Sequence, residues 1–200
     1  MHVLKGLVIA FASYTRIPMP QVDWSEENRR WSMCFFPLIG VVVGGLIWLW
    51  LALCDGLHIG PFLRGAIGAV LPLLVTGGIH MDGFMDVTDA MSSWQTKEKR
   101  LEILKDSHVG AFAVIGCSFY LILSAGAWSE IDVKGIVVMA MAFVLERAFS
   151  GLAAVNFKGA RKDGMLTAFR EPARKRTVTV VLAAEAVISA IVMCYLWLPV

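Results

Sequence analysis

Long apolar runs alternate with short charged ones along this chain. The first run, Val3 to Tyr14, is short for a membrane crossing and carries Lys5. It is expected either as a short helix completing a bundle or as an interfacial one. A polar stretch, Gln21 to Arg30, precedes the first full-length run, about Cys34 to Cys54. After a turn around His58 to Pro61, a second run from Leu63 to Gly78 passes directly into an acidic segment beginning at His80. Three further runs cover about Val109 to Trp128, Lys134 to Val155 and Val178 to Leu198. A hydrocarbon core about 30 Å thick takes about 20 mostly apolar residues per helix. The pattern therefore predicts an all-α, polytopic membrane bundle of about five transmembrane helices plus a short N-terminal helix. It reads as a single domain over residues 1–200, with long loops at about 80–108 and 156–176. No small-residue cleavage site precedes Arg16 and the Pro18-Met19-Pro20 break, so the N-terminal run is expected to be retained. Gly40-Val-Val-Val-Gly44 is a small-xxx-small pattern suited either to internal packing or to self-association into a homo-oligomer.

Composition strengthens the membrane reading. Hydrophobic residues make up 58% of the chain and charged ones 17%, against roughly 45–50% and 25% in soluble domains, and mean hydropathy is +0.69. A net charge of +2 argues against nucleic acid as a partner. Cys34, Cys54, Cys117 and Cys194 lack metal-binding spacing and sit in or beside apolar runs, so neither a disulfide nor zinc is expected. Lys and Arg number four between Thr96 and Ser107 and seven between Asn156 and Arg176. Excess positive charge marks cytoplasmic loops, so both long loops are expected on that side.

The densest chemistry lies in Gly77-Gly78-Ile79-His80-Met81-Asp82-Gly83-Phe84-Met85-Asp86-Val87-Thr88-Asp89. On a helix, aspartates at i, i+4 and i+7 fall within about 60° of one another. Three carboxylates on one face beside apolar runs repel one another and call for a compensating cation. Mg²⁺ is usually held by one or two carboxylates together with substrate phosphates, so Asp82, Asp86 and Asp89 point to Mg²⁺ and a pyrophosphate substrate. A solvated acidic helix end is the plainer alternative. His80 is either structural or a ligand or base. The next loop, Lys97 to Gly110, places Leu101, Ile103 and Leu104 among charges and predicts a short interfacial amphipathic helix. Its cations either reach phosphate oxygens or serve only as a topology signal. Glu146-Arg147 and Glu185 fall inside apolar runs, where ionisable groups need interior partners. Lys158, Arg161, Lys162 and Arg170 suit either an anionic substrate or anionic lipid headgroups.

The run Gly77 to Asp89, followed by Arg100-Leu-Glu102-Ile-Leu-Lys105-Asp106-Ser107-His-Val-Gly110, resembles the signature of the cobalamin synthase family, the adenosylcobinamide-GDP ribazoletransferases. Thr15-Arg16-Ile17-Pro18-Met19-Pro20, Phe36-Pro37-Leu38-Ile39-Gly40, Arg147 and Ala160-Arg161-Lys-Asp-Gly164 echo it further, so the similarity runs from about Tyr14 to Phe169. The resemblance implies a Mg²⁺-dependent transfer in a bacterial inner membrane, with the active-site loops in the cytoplasm. In that reaction a ribose hydroxyl of α-ribazole, or of its 5′-phosphate, attacks the corrinoid-side phosphorus of adenosylcobinamide-GDP, and GMP leaves. Asp82, Asp86 and Asp89 would hold the metal. Arg16, Arg100, Lys105, Ser107, Arg147 and Arg161 would meet substrate phosphates. Asp106 would be a further ligand or an orienting group, and His80 or a carboxylate the base. Membrane lipid is the other expected partner. The family pattern usually continues into a second glycine-rich acidic block of GGxTGDxxGA type, which this sequence, ending at Val200, does not contain.

Three rival readings use the same residues. An intramembrane prenyltransferase would clamp a diphosphate with Asp82, Asp86 and Asp89, but is expected to carry a second aspartate-rich motif. A CDP-alcohol phosphotransferase would need a different sequence after Asp82-Gly83. A cation transporter would place the carboxylates near mid-membrane.

Overall fold

The computed structural model describes residues 1–159 and 164–198. Among them every regular element is helical: α1 (His2–Tyr14), α2 (Glu26–Arg29), a 3₁₀ turn (Ser32–Phe35), α3 (Phe36–Gly56), α4 (Pro61–Thr76), α5 (Ile79–Ser92), α6 (Lys97–Ile103), α7 (Ala111–Glu130), α8 (Val133–Asn156), α9 (Met165–Arg170) and α10 (Lys175–Trp197). Four helical segments are long and apolar enough to cross a membrane: the one ending in α3, then α7, α8 and α10. A fifth crossing arises if α4 and α5, bent by 99° at their junction, are counted together. The all-α membrane bundle with its short N-terminal helix is the fold the apolar pattern predicts. α7 leaves Phe119, Ile122 and Leu123 62–72% exposed, an apolar face of the kind that marks contact with a membrane or another protein.

Contacts divide the chain into two compact units. One comprises residues 1–52 and 132–200. In it α8 and α10 pack along each other, and Val144, Ala148, Val178 and Leu182 are buried. The Gly40-x-x-x-Gly44 pattern is used internally: a Cβ on Gly44 would lie 2.5 Å from the Ala140 carbonyl oxygen of α8, and one on Gly40 would collide with the Phe143 backbone. Backbones meet where side chains are missing. In the same unit, Tyr14 packs in tilted geometry against Phe36 and Phe169 at centroid distances of 4.7 and 5.7 Å.

The second unit is residues 53–131. Pro61 opens α4, where a missing N–H costs nothing. Arg64 forms an ion pair with Asp55 and donates to the Ile131 carbonyl oxygen at 3.0 Å, which ties the two ends of the unit. α4 and α5 both pack on α7, Gly68 of α4 facing Trp128 and Phe84 of α5 lying 6.2 Å from Tyr120.

Candidate active site

The acidic segment is a helix because two glycines separate it from the run before. Gly77 and Gly78 both take left-handed conformations, with φ of 67° and 79°, which side-chain-bearing residues adopt only at a cost. Their N–H groups fold back onto the Leu73 carbonyl oxygen. This closes α4, and the Asp82 N–H bond to the Gly78 carbonyl oxygen at 2.9 Å then starts α5. Asp82 lies in the first turn of α5, where the helix dipole favours a negative charge. Asp82 is exposed, and Asp86 and Asp89 are half-buried.

Asp89 differs from the other two. Its Oδ2 accepts the Gly110 N–H at 2.6 Å and its Oδ1 accepts the Ala113 N–H at 2.9 Å. These donors are the N-cap and a first-turn residue of α7, which otherwise have no helical acceptor. A carboxylate on one helix thus caps another. Gly110 is the residue that permits this, since a Cβ there would lie 2.5–2.7 Å from the Asp89 carboxylate atoms.

The basic segment that follows forms α6. Thr96 caps it by accepting the Lys99 N–H at 3.4 Å, and Lys99 pairs with Glu102 at 2.7 Å. The half-buried Arg100 points back to α5, its guanidinium 3.7 Å from the Met91 sulfur. Lys105, Asp106 and Ser107 are exposed on the turn between α6 and α7. The Asp106 carboxylate accepts the His108 backbone N–H at 3.0 Å and lies 2.6 Å from His108 Nδ1. Those bonds hold its carboxyl below the usual range and make it a weak base. His80, at the start of α5, is exposed.

The structure therefore gathers His80, Asp82, Asp86, Asp89, Arg100, Lys105, Asp106 and Ser107 in the second unit. Arg16 and Arg147 belong to the first unit. Arg16 is exposed after α1. Arg147 is 3% exposed in α8, where it donates to the Phe143 carbonyl oxygen and to Glu146 Oε2, both at 3.0 Å. Arg161 and Lys162 lie outside the described residues. In α10, Glu185 keeps a buried Oε2 with no hydrogen-bond partner among the described residues. His108 and Gly110 do structural work that the residue pattern did not single out; the clue was the tight Asp106-x-His108-x-Gly110 spacing.

Among the described residues, no three His, Cys, Asp or Glu side chains converge as a metal site. Asp89 spends one acceptor position of each oxygen on α7 and keeps another, while Asp82 and Asp86, one turn apart, share its face of α5. Hard oxygens in that number fit an ion that takes its remaining ligands from water and phosphate.

Comparisons with known proteins follow the same lines. A family model described as cobalamin-5-phosphate synthase matches residues 6–200. A protein of Lachnoclostridium phytofermentans is 45% identical over 193 residues, covering 96% of this chain and 74% of that protein. One of Clostridium botulinum is 40% identical over 126 residues, covering 63% of this chain and 50% of that protein. One of Clostridium perfringens is 29% identical over 189 residues, covering 94% and 75%. All three are named adenosylcobinamide-GDP ribazoletransferase. No solved structure matches the chain.

Proposed function

The chain belongs to the cobalamin-5-phosphate synthase family, and from that membership we propose that it is a membrane-embedded adenosylcobinamide-GDP ribazoletransferase. The observation that carries the reading is the family match across residues 6–200, which includes every candidate site residue. In the reaction, a ribose hydroxyl of α-ribazole or its 5′-phosphate forms a new P–O bond to the corrinoid-side phosphorus of adenosylcobinamide-GDP. The P–O bond to the GMP phosphate breaks, GMP leaves with that electron pair, and the hydroxyl proton passes to a base. The products are adenosylcobalamin or its 5′-phosphate, and GMP.

Asp82 and Asp86 would hold Mg²⁺, which when bound neutralises charge on the pyrophosphate and on the leaving phosphate. Asp89 supports them by fixing the start of α7 against α5, so the turn bearing Lys105, Asp106 and Ser107 keeps its place relative to the carboxylates. Arg100, Lys105 and Ser107 offer donors to phosphate oxygens, with the guanidinium suited to two at once. Asp106 serves better as an orienting group or ligand than as the base, because its bonds to His108 stabilise the ionised form. His80 is the remaining candidate for proton transfer. By the family resemblance Arg16, Arg147 and Arg161 are further candidates for anionic parts of the substrates; Arg147 is buried and bonded within α8, and Arg161 lies outside the described residues. The concentration of Lys and Arg in the two long loops favours an inner-membrane protein with this chemistry on the cytoplasmic side.

The test is turnover by the full chain in lipid bilayers, supplied with adenosylcobinamide-GDP and α-ribazole 5′-phosphate. The expected result is corrinoid product and GMP in equal amounts. GMP release without corrinoid product, or no reaction by folded protein, would contradict the assignment.

A further inference from the structure

In the first unit the ends of α8, α9 and α10 enclose an open cleft of about 450 Å³. Its lining includes Asn156, Phe157, Lys158, Arg170, Glu171 and Lys175. Three cations face one carboxylate, and among the described residues no ion pair involves Lys158, Arg170 or Lys175. Lys175 is the first residue of α10, whose N-cap, Arg174, supplies no side-chain acceptor. The first internal bond of that helix is Val178 N–H to the Arg174 carbonyl oxygen at 2.9 Å, so the N–H groups of residues 175–177 have no helical acceptor. A 23-residue helix thus directs its positive end toward a cleft already lined by cations, an arrangement suited to a phosphate. Asn156 does not compete for the ligand, since its side chain is bonded to the Leu152 carbonyl oxygen and to Thr179. Phe157, 73% exposed, lies beside the cations just after a membrane-length helix.

We propose that this cleft, formed by Lys158, Arg170, Lys175 and the start of α10, binds a phosphate-bearing anion at the membrane interface. The shared chemistry is a singly or doubly charged phosphate, from either an anionic phospholipid headgroup or a free phosphate group. The cleft lies in the first unit, and the proposal does not rest on the transfer reaction, because the test reads binding alone.

The full chain in detergent is titrated with dihexanoyl phosphatidylglycerol, with dihexanoyl phosphatidylcholine and with inorganic phosphate. Wild type is compared with the triple variant Lys158→Gln/Arg170→Gln/Lys175→Gln and with a charge-matched control, Lys5→Gln/Lys97→Gln/Lys99→Gln. Each cation removed near such a surface is expected to weaken binding about fivefold, so the triple variant loses on the order of 100-fold and the control little. The double variant Lys158→Gln/Lys175→Gln keeps the half-buried Arg170 and should fall between, which guards against misfolding of the triple. Phosphatidylglycerol binding lost in the triple variant assigns the cleft to lipid. The same loss for inorganic phosphate, without preference for phosphatidylglycerol, assigns it to a free phosphate group. Absence of binding by wild type, equal affinity in wild type and triple variant, or an equal loss in the control overturns the proposal.

Discussion

At the scale of single residues, the three aspartates of α5 are alike in sequence and unlike in the structure. Spacing alone puts Asp82, Asp86 and Asp89 on one face and gives them one role. What spacing does not reveal is that the N–H groups of Gly110 and Ala113 complete Asp89, because backbone donors 21 and 24 residues away leave no side-chain pattern. Gly110 was the trace of it, a residue with no room for a Cβ. Asp89→Ala should therefore lower stability by about 1–2 kcal/mol, the usual cost of losing a cap, and Gly110→Ala by about 1–3 kcal/mol through overpacking. Asp82→Asn should shift stability by less than about 0.5 kcal/mol, as an exposed substitution usually does. Thermal unfolding of the three variants checks the contrast, and equal effects would remove the distinction. Asp106 gives a pH prediction. Its folded-state pKa is lowered by His108, so the favourable contribution is present above the unfolded value and lost as pH falls through the lower, folded one. Order in the 105–108 turn should persist from neutral pH down to the ordinary carboxylate range. His108→Ala keeps the backbone N–H bond, the larger cause, and removes the ring's, so it should move the Asp106 titration, followed by carboxylate NMR, upward but not fully to the ordinary range; an unmoved titration would contradict the side-chain bond.

Elements were legible where their signal was strong and local. The apolar runs anticipate α3, α4, α7, α8 and α10 to within a few residues, and the mixed Lys97–Leu104 pattern anticipates α6. The second run ends at Thr76 rather than Gly78, because two left-handed glycines finish the helix instead of extending it. The stretch expected as a long loop from residue 80 to 108 is largely α5 and α6, since charged residues at helical spacing form helices when one face can pack. Gly40-x-x-x-Gly44 left internal packing and self-association open, and the structure uses it against α8. Gly44→Val should cost about 1–3 kcal/mol by forcing α3 from the Ala140 backbone. Denaturant unfolding in detergent measures this, and a neutral substitution would mean that the close approach is not maintained.

For the molecule as a whole, hydropathy alone identifies the class, and the chemistry is read from two short blocks. Division into units at residues 52 and 131 was not legible, because no linker composition marks either point. The charge distribution gives a whole-molecule prediction. Single cysteines at Glu98 and Glu171, introduced into a chain lacking its own four, should be labelled by a membrane-impermeant maleimide only from the cytoplasmic side. Labelling of either from the opposite face would overturn the proposed orientation.

We propose that the α5 carboxylates support the transfer by holding Mg²⁺. Single-turnover GMP release from adenosylcobinamide-GDP, across a Mg²⁺ titration, tests it in wild type and in Asp86→Asn. GMP release is expected to rise with Mg²⁺ in wild type and to fall on the order of 100- to 1,000-fold in the variant, the range for losing one charge-stabilising group, with helix content unchanged. Wild-type release without added divalent ion in the presence of chelator, or an Asp86→Asn variant as fast as wild type, would contradict it.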